Sequence, residues 1–157
     1  MKRTLTLLFL LISLPFFGQK RAFSIEDLYK IKSVGEPVLS GDGTRIAFTV
    51  TESNLQKASS NTDIYVLNVD ENDLVQITNG AGAEYNPIWS PDDTKLYYSA
   101  YPDGSEQLYA YDFANNITEK ITDFPLGISS PKLSTDGSKI IFTTKVFPEC
   151  GIDAECN

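Results

Sequence analysis

The chain contains no histidine. That absence removes the general base on which serine and cysteine nucleophiles usually depend. A G-x-S-x-G elbow and a glycine-rich phosphate loop are missing too, so the sequence offers no catalytic residue and no nucleotide or other cofactor site. Cysteine is scarce: Cys150 and Cys156 are the only two, set close together in FPECGIDAECN. Without histidine or a second cysteine pair, zinc lacks a ligand set. The acidic run Asp70-Glu71-Asn72-Asp73 lacks the alternating oxygens and the glycine of an EF-hand loop, so it reads as a solvated hairpin tip and no metal is expected. Basic side chains are outnumbered, 13 against 21 acidic ones for a net charge of −8, which disfavours nucleic acid and anionic membrane surfaces as partners.

One apolar run exists, at the very start. Met1-Lys2-Arg3 is basic, and Thr4 to Phe17 is apolar apart from Thr6, Ser13 and Pro15. Its 14 residues fall short of the roughly 20 that a membrane span needs, and the chain that follows is polar. Residues 1–18 are therefore expected to be a signal peptide cut near Gly18-Gln19, with a membrane anchor the less favoured alternative. Export would place the protein in the periplasm or outside the cell, with a net charge of −10 once Lys2 and Arg3 are removed. Such a compartment favours a disulfide between Cys150 and Cys156, two free thiols being the alternative. A loop so short would contribute ~2 kcal/mol on the chain-entropy estimate.

What the sequence does contain is a repeat. PVLSGDGTRIAFTV (37–50), PIWSPDDTKLYYSA (87–100) and PKLSTDGSKIIFTT (131–144) align without gaps, each reading as strand, tight turn, strand. Asp42, Asp92 and Asp136 are placed to accept backbone amide hydrogens in the turn. The next position needs left-handed backbone, which Gly43 and Gly137 adopt freely and Asp93 tolerates. Ile46, Phe48 and Val50 match Leu96, Tyr98 and Ala100, then Ile140, Phe142 and Thr144, giving one apolar face at a period of two.

A second pair of segments, DIYVLNVDENDLVQIT (63–78) and QLYAYDFANNITEKIT (107–122), reads as hairpins with polar turns. Ile64 to Leu108, Ile77 to Ile121 and Pro87 to Pro131 are each 44 residues apart. Four strands in about 40–45 residues is the signature of a propeller blade. The fold class expected is therefore all-β, an incomplete propeller with complete blades at 37–78 and 87–122 and an incomplete one at 131–157. Residues 19–36 form an N-terminal segment in which FSIEDLYKIKSVGEP reads as a short helix, with Ser24 at its cap, acidic residues in its first turn and an apolar stripe of Leu28 and Ile31 that packs on the rim or on a neighbouring domain.

Between Val50 and Ile64 the first blade carries six more residues than the second, and TESNLQKASSNT (51–62), polar and aperiodic, is expected to be a surface loop. Ser105, Ser129 and Ser130 sit in turn-like contexts. Asn116-Ile117-Thr118 fits both a glycosylation acceptor and a plain turn. Trp89, Tyr97, Tyr98, Tyr109 and Tyr111 recur in register, which favours strand packing over a ligand platform.

From FSIEDLYKIKSVGEP through the S-x-D-G turns to KVFPECGIDAECN, the sequence resembles the N-terminal propeller of prolyl oligopeptidase family serine peptidases, in particular their dipeptidyl peptidase 5-like branch. The turns alone are shared with TolB-like proteins; the E-D-L helix and the FPEC segment narrow the choice. The resemblance implies a propeller that filters peptide substrates for a C-terminal α/β-hydrolase domain, whose Ser-Asp-His triad lies outside these 157 residues. A ring of about four blades needs ~175 residues. The expected partners are accordingly the remaining blades and the hydrolase domain, with a non-enzymatic TolB-like propeller for periplasmic protein binding as the alternative.

Overall fold

A computed structural model describes residues 21–102, 104–153 and 155–156. The leader expected over 1–18 lies outside the described residues. Among the described residues, a single turn of helix α1 (Ile25–Leu28) is followed by ten strands. β1 (Ser33–Leu39), β2 (Arg45–Asn54), β3 (Ser59–Asn68) and β4 (Asp73–Gln76) form one antiparallel meander. β5 (Glu84–Trp89), β6 (Lys95–Ala100), β7 (Gln107–Asp112) and β8 (Ile117–Lys120) form a second in the same order, and β9 (Ser129–Leu133) pairs with β10 (Ile140–Thr143). The first two sheets pack face to face. Ala47, Ile64 and Val66 of the first meet Trp89, Leu96, Tyr98 and Ala100 of the second in one buried cluster. Blade packing therefore supplies the core, as period-two burial requires.

The repeated turns are built identically. Ser40, Ser90 and Ser134 each donate from Oγ to Oδ1 of Asp42, Asp92 and Asp136, and each Ser Oγ accepts the amide hydrogen of Arg45, Lys95 or Lys139 at 2.9–3.0 Å. The aspartates also accept from the amides of Thr44, Thr94 and Ser138. Two side chains thus close the turn from both sides. These bonds hold Asp42 and Asp136 at about 2, the serine hydroxyl being the largest cause.

The helix is shorter than expected, because β1 begins at Ser33 and claims the residues up to Pro37. Asp27 holds its single turn by accepting from Ser24 N at 3.1 Å and Oγ at 3.2 Å and by pairing with Arg21 and Lys30. Leu28 and Ile31 are exposed rather than packed on the rim. The expectation of a loop at 51–62 is also corrected. β2 and β3 pair without interruption from Thr51↔Thr62 to Asn54↔Ser59, with the two threonine hydroxyls 2.8 Å apart. Neither face of this extension is buried against another sheet, so its side chains carry no alternation for a sequence reading to detect.

Candidate functional site

Each blade's first strand contains an X-Pro step, and in each the residue before proline has positive φ: Glu36 at 49°, Asn86 at 56° and Ser130 at 52°. Proline has no amide hydrogen for the ladder, and its ring drives the preceding residue out of the right-handed helical region. The register of β1 with β2 and of β5 with β6 skips at these steps. Three equivalent bulges result, one per blade, each on the strand that faces its counterparts. Ser129 and Ser130 therefore stand in a strand, not in the turn expected for them.

The bulges surround a cavity of about 580 Å³ that spans all three blades. Glu36 Oε2 accepts the Asn86 amide hydrogen at 2.6 Å, a bond from the first blade to the second. Behind it Tyr85 and Tyr101 stack with ring centroids 5.7 Å apart, and the Tyr101 hydroxyl donates to Glu106 Oε2 at 3.3 Å. Burial pushes the Tyr85 phenol well above its ordinary value, reinforced by its bonds to Tyr101 and the nearby Glu106 carboxylate. Ser130 and Lys132 close the third side. The wall thus offers two carboxylates, two phenols, hydroxyls and one ammonium, groups that hydrogen-bond a polar chain. No imidazole or thiol lines it.

Of the residues singled out from sequence, Trp89 and Tyr98 are buried in the core, and Tyr109 and Tyr111 pack against it. Trp89 joins the first two blades: its Nε1 donates to Val38 O at 3.1 Å, while the Arg45 guanidinium lies 4.5 Å from its ring centroid and 4.7 Å from that of Phe113. Asn116 Oδ1 accepts from the Tyr111 hydroxyl within its turn. Asp70 to Asn72 lie in the β3–β4 connection, with Asn72 at positive φ, and Asp73 begins β4. The Cys150 and Cys156 sulfurs are joined, with Cα atoms 5.5 Å apart, and lie apart from the cavity. Sequence reasoning overlooked Glu36 and Asn86 and assigned Ser130 to a turn. The signal was present in the alignment as the position preceding each repeated proline.

Four-stranded meanders packed face to face, with equivalent bulges turned to a shared cavity, define a β-propeller in which this chain supplies successive blades. Residues 26–153 match the family model described as the TolB beta propeller domain, and the chain belongs to that family. Among curated relatives, the uncharacterized peptidase YuxL of Bacillus subtilis is 31% identical over 128 residues, covering 81% of this chain and 20% of the relative. Dipeptidyl-peptidase 5 of Porphyromonas endodontalis is 23% identical over 129 residues, covering 82% of this chain and 19% of the relative. The chain therefore spans about a fifth of the length of these relatives. The acylaminoacyl peptidase of Pyrococcus horikoshii superposes with a TM-score of 0.64 at 15% identity, over 78% of this chain and 18% of that one, which shows the shared fold. The resemblance to peptidase propellers read from the sequence is matched by these relatives.

Proposed function

We propose that this chain is the propeller portion of an exported serine peptidase of dipeptidyl or oligopeptidase type, where it filters peptide substrates for an α/β-hydrolase domain elsewhere in the protein. One observation carries the reading: a chain without a histidine is related, at 31% identity, to a fifth of a protein named as a peptidase. Such a segment serves the reaction through access and positioning, not through bond making. The polar cavity supports this role, because carboxylates, phenols and the Lys132 ammonium hydrogen-bond the groups an extended peptide presents. The apolar leader at 4–17 supports export.

Filtering is tested in the whole enzyme by comparing a chromogenic dipeptide with a longer peptide. Replacing Glu36 and Lys132 with alanine is expected to change kcat/KM for the long peptide severalfold while leaving the dipeptide within about twofold. Equal effects on both substrates would contradict a filtering role. A second reading, a TolB-like propeller that binds periplasmic proteins and catalyses nothing, is favoured by the family match itself. It predicts that no serine-directed inhibitor labels the polypeptide that carries these blades.

A further inference from the structure

The first blade carries, at its junction with the second, a pair of buried acids where the next copy of the same junction has none. Asp63, in β3, and Glu84, at the start of β5, are each only 8% exposed. Their carboxyl groups lie within hydrogen-bonding reach of one another. Asn61 Nδ2 donates to Asp63 Oδ2 and to Gly80 O, both at 3.0 Å, and the Thr78 hydroxyl donates to Glu84. Asp63 Oδ1 and Glu84 Oε2 then remain buried with no donor. Two ionised carboxylates in contact and out of water are strongly disfavoured, since neither charge is compensated.

The internal repeat shows that the fold does not demand this arrangement. Forty-four residues on, Gln107 stands for Asp63 and Ile128 for Glu84. Gln107 satisfies its surroundings completely: Oε1 accepts from Thr122 Oγ1 at 2.8 Å and Phe124 N at 3.1 Å, and Nε2 donates to Phe124 O at 2.7 Å. Ile128 is buried and needs no partner. The surrounding scaffold is the same in both copies, with the Thr78 and Thr122 hydroxyl oxygens accepting the amide hydrogens of Ile64 and Leu108 of the same blade, each at 2.9 Å. The acids are thus a feature of one junction and not of the blade design.

We propose that Asp63 and Glu84 hold a single proton between them and so form a proton-dependent latch between the first and second blades. The proton turns one carboxyl group into a donor and the other into its acceptor, which satisfies both orphaned oxygens at once. Its loss leaves two like charges across the junction. Neighbouring groups reinforce this. Glu52 of β2, itself paired with Lys32, adds negative charge beside Asp63. Tyr98 of β6 and Tyr109 of β7 line the cavity on the Glu84 side, and Lys57 lines the adjoining cavity with Asn61 and Gly80. There is no space for a compensating side chain at Gly80, where a Cβ would sit 2.5 Å from Glu84 Oε1. Burial, and then the charge of Asp63, push Glu84 up to about 7 from 4.5, and burial raises Asp63 as well.

The sign follows from linkage. A carboxyl group whose value is raised on folding binds its proton more tightly in the folded state, so its stabilising effect is complete at low pH and is lost as pH climbs through about 7. The chain has no histidine and its two cysteines are bonded, so the side chains that ordinarily change charge in that interval are missing.

The test is the melting temperature of the full chain between about pH 5 and about pH 8. The wild type is expected to lose stability across the interval, while E84Q and D63N give flatter profiles and melt above the wild type at about pH 8. The double variant D63Q/E84I, which copies the second junction, is expected to be flat. Profiles that run parallel in all four proteins overturn the proposal. So does a rise in the wild-type melting temperature on adding calcium chloride at about pH 8 that E84Q does not share, since a cation would then occupy the junction. Should the variants fail to fold, infrared spectra of the wild type decide: a protonated carboxyl band persisting at about pH 6 and lost by about pH 8 supports the latch, and its absence at about pH 6 contradicts it.

Discussion

Gly41 and Pro91 occupy the same place in successive turns, and the difference reads in the sequence as turn variation alone. In the structure it sets how the blades are joined. Gly41 and Asp42 both donate amide hydrogens to the Asp93 carboxylate at 2.8 Å, a bond set that a proline at 41 would halve. Pro91, without an amide hydrogen, instead packs on Gly137, where an added Cβ would lie 3.0 Å from Pro91 Cδ. Asp93 is therefore more than a tolerated substitute for glycine: its side chain is the acceptor that Gly43 and Gly137 cannot provide. D93G is expected to lower stability by about 1–3 kcal/mol through the two amides it orphans, despite relaxing a positive φ, and D93N by less. Chemical denaturation midpoints measure the difference, and D93G at or above wild-type stability would refute the assignment. The turn aspartates titrate in the opposite sense from Glu84. Asp42 and Asp136 sit at about 2, below the ordinary 3.8, so their contribution is present above 3.8 and is lost as pH falls toward 2. D42N/D136N should accordingly show a shallower acid limb in a pH-dependent melt, and an unchanged limb would count against the turn network.

At the scale of elements, the paired strands of each blade were legible because turn residues and apolar residues recur in step. The outer strands β4 and β8 are exposed along their whole length, yet the equal spacing of 44 residues revealed them. The extended β2–β3 hairpin was not legible, since its residues 51–62 bury nothing that would impose a pattern. That contrast has an energetic counterpart. Removing six residues from the hairpin, to match the second blade, is expected to change stability by under about 1 kcal/mol, whereas I64A, at a fully buried position between the sheets, is expected to cost about 2–5 kcal/mol. Equilibrium unfolding of both variants separates these expectations, and a hairpin deletion as costly as I64A would show that the extension packs on something. The three bulges escaped notice for a different reason. Positive φ at Glu36 and Ser130 is a conformation that neither residue type signals, and only the common position before proline marks it.

Across the whole molecule, each blade is stabilised by its neighbours: the cluster from Ala47 to Ala100 draws on two sheets, and the cavity draws on three. Fold class was legible at this scale because a repeat states its architecture several times. The acid pair at the first junction was not, because only the superposition of Asp63 on Gln107 and Glu84 on Ile128 shows that an ordinary alternative exists. Nor does composition identify the chemistry this propeller serves; the absence of histidine excludes a Ser-His-Asp triad within these 157 residues. The peptidase relatives it matches are about four times its length. The most direct measurement is to isolate, from cells that make it, the polypeptide bearing these blades, using an antibody raised against residues 21–157, and to treat it with a fluorophosphonate probe. The account predicts a polypeptide several times longer than 157 residues that reacts covalently with the probe. A polypeptide of any length that remains unlabelled while a known serine peptidase in the same extract is labelled would contradict it.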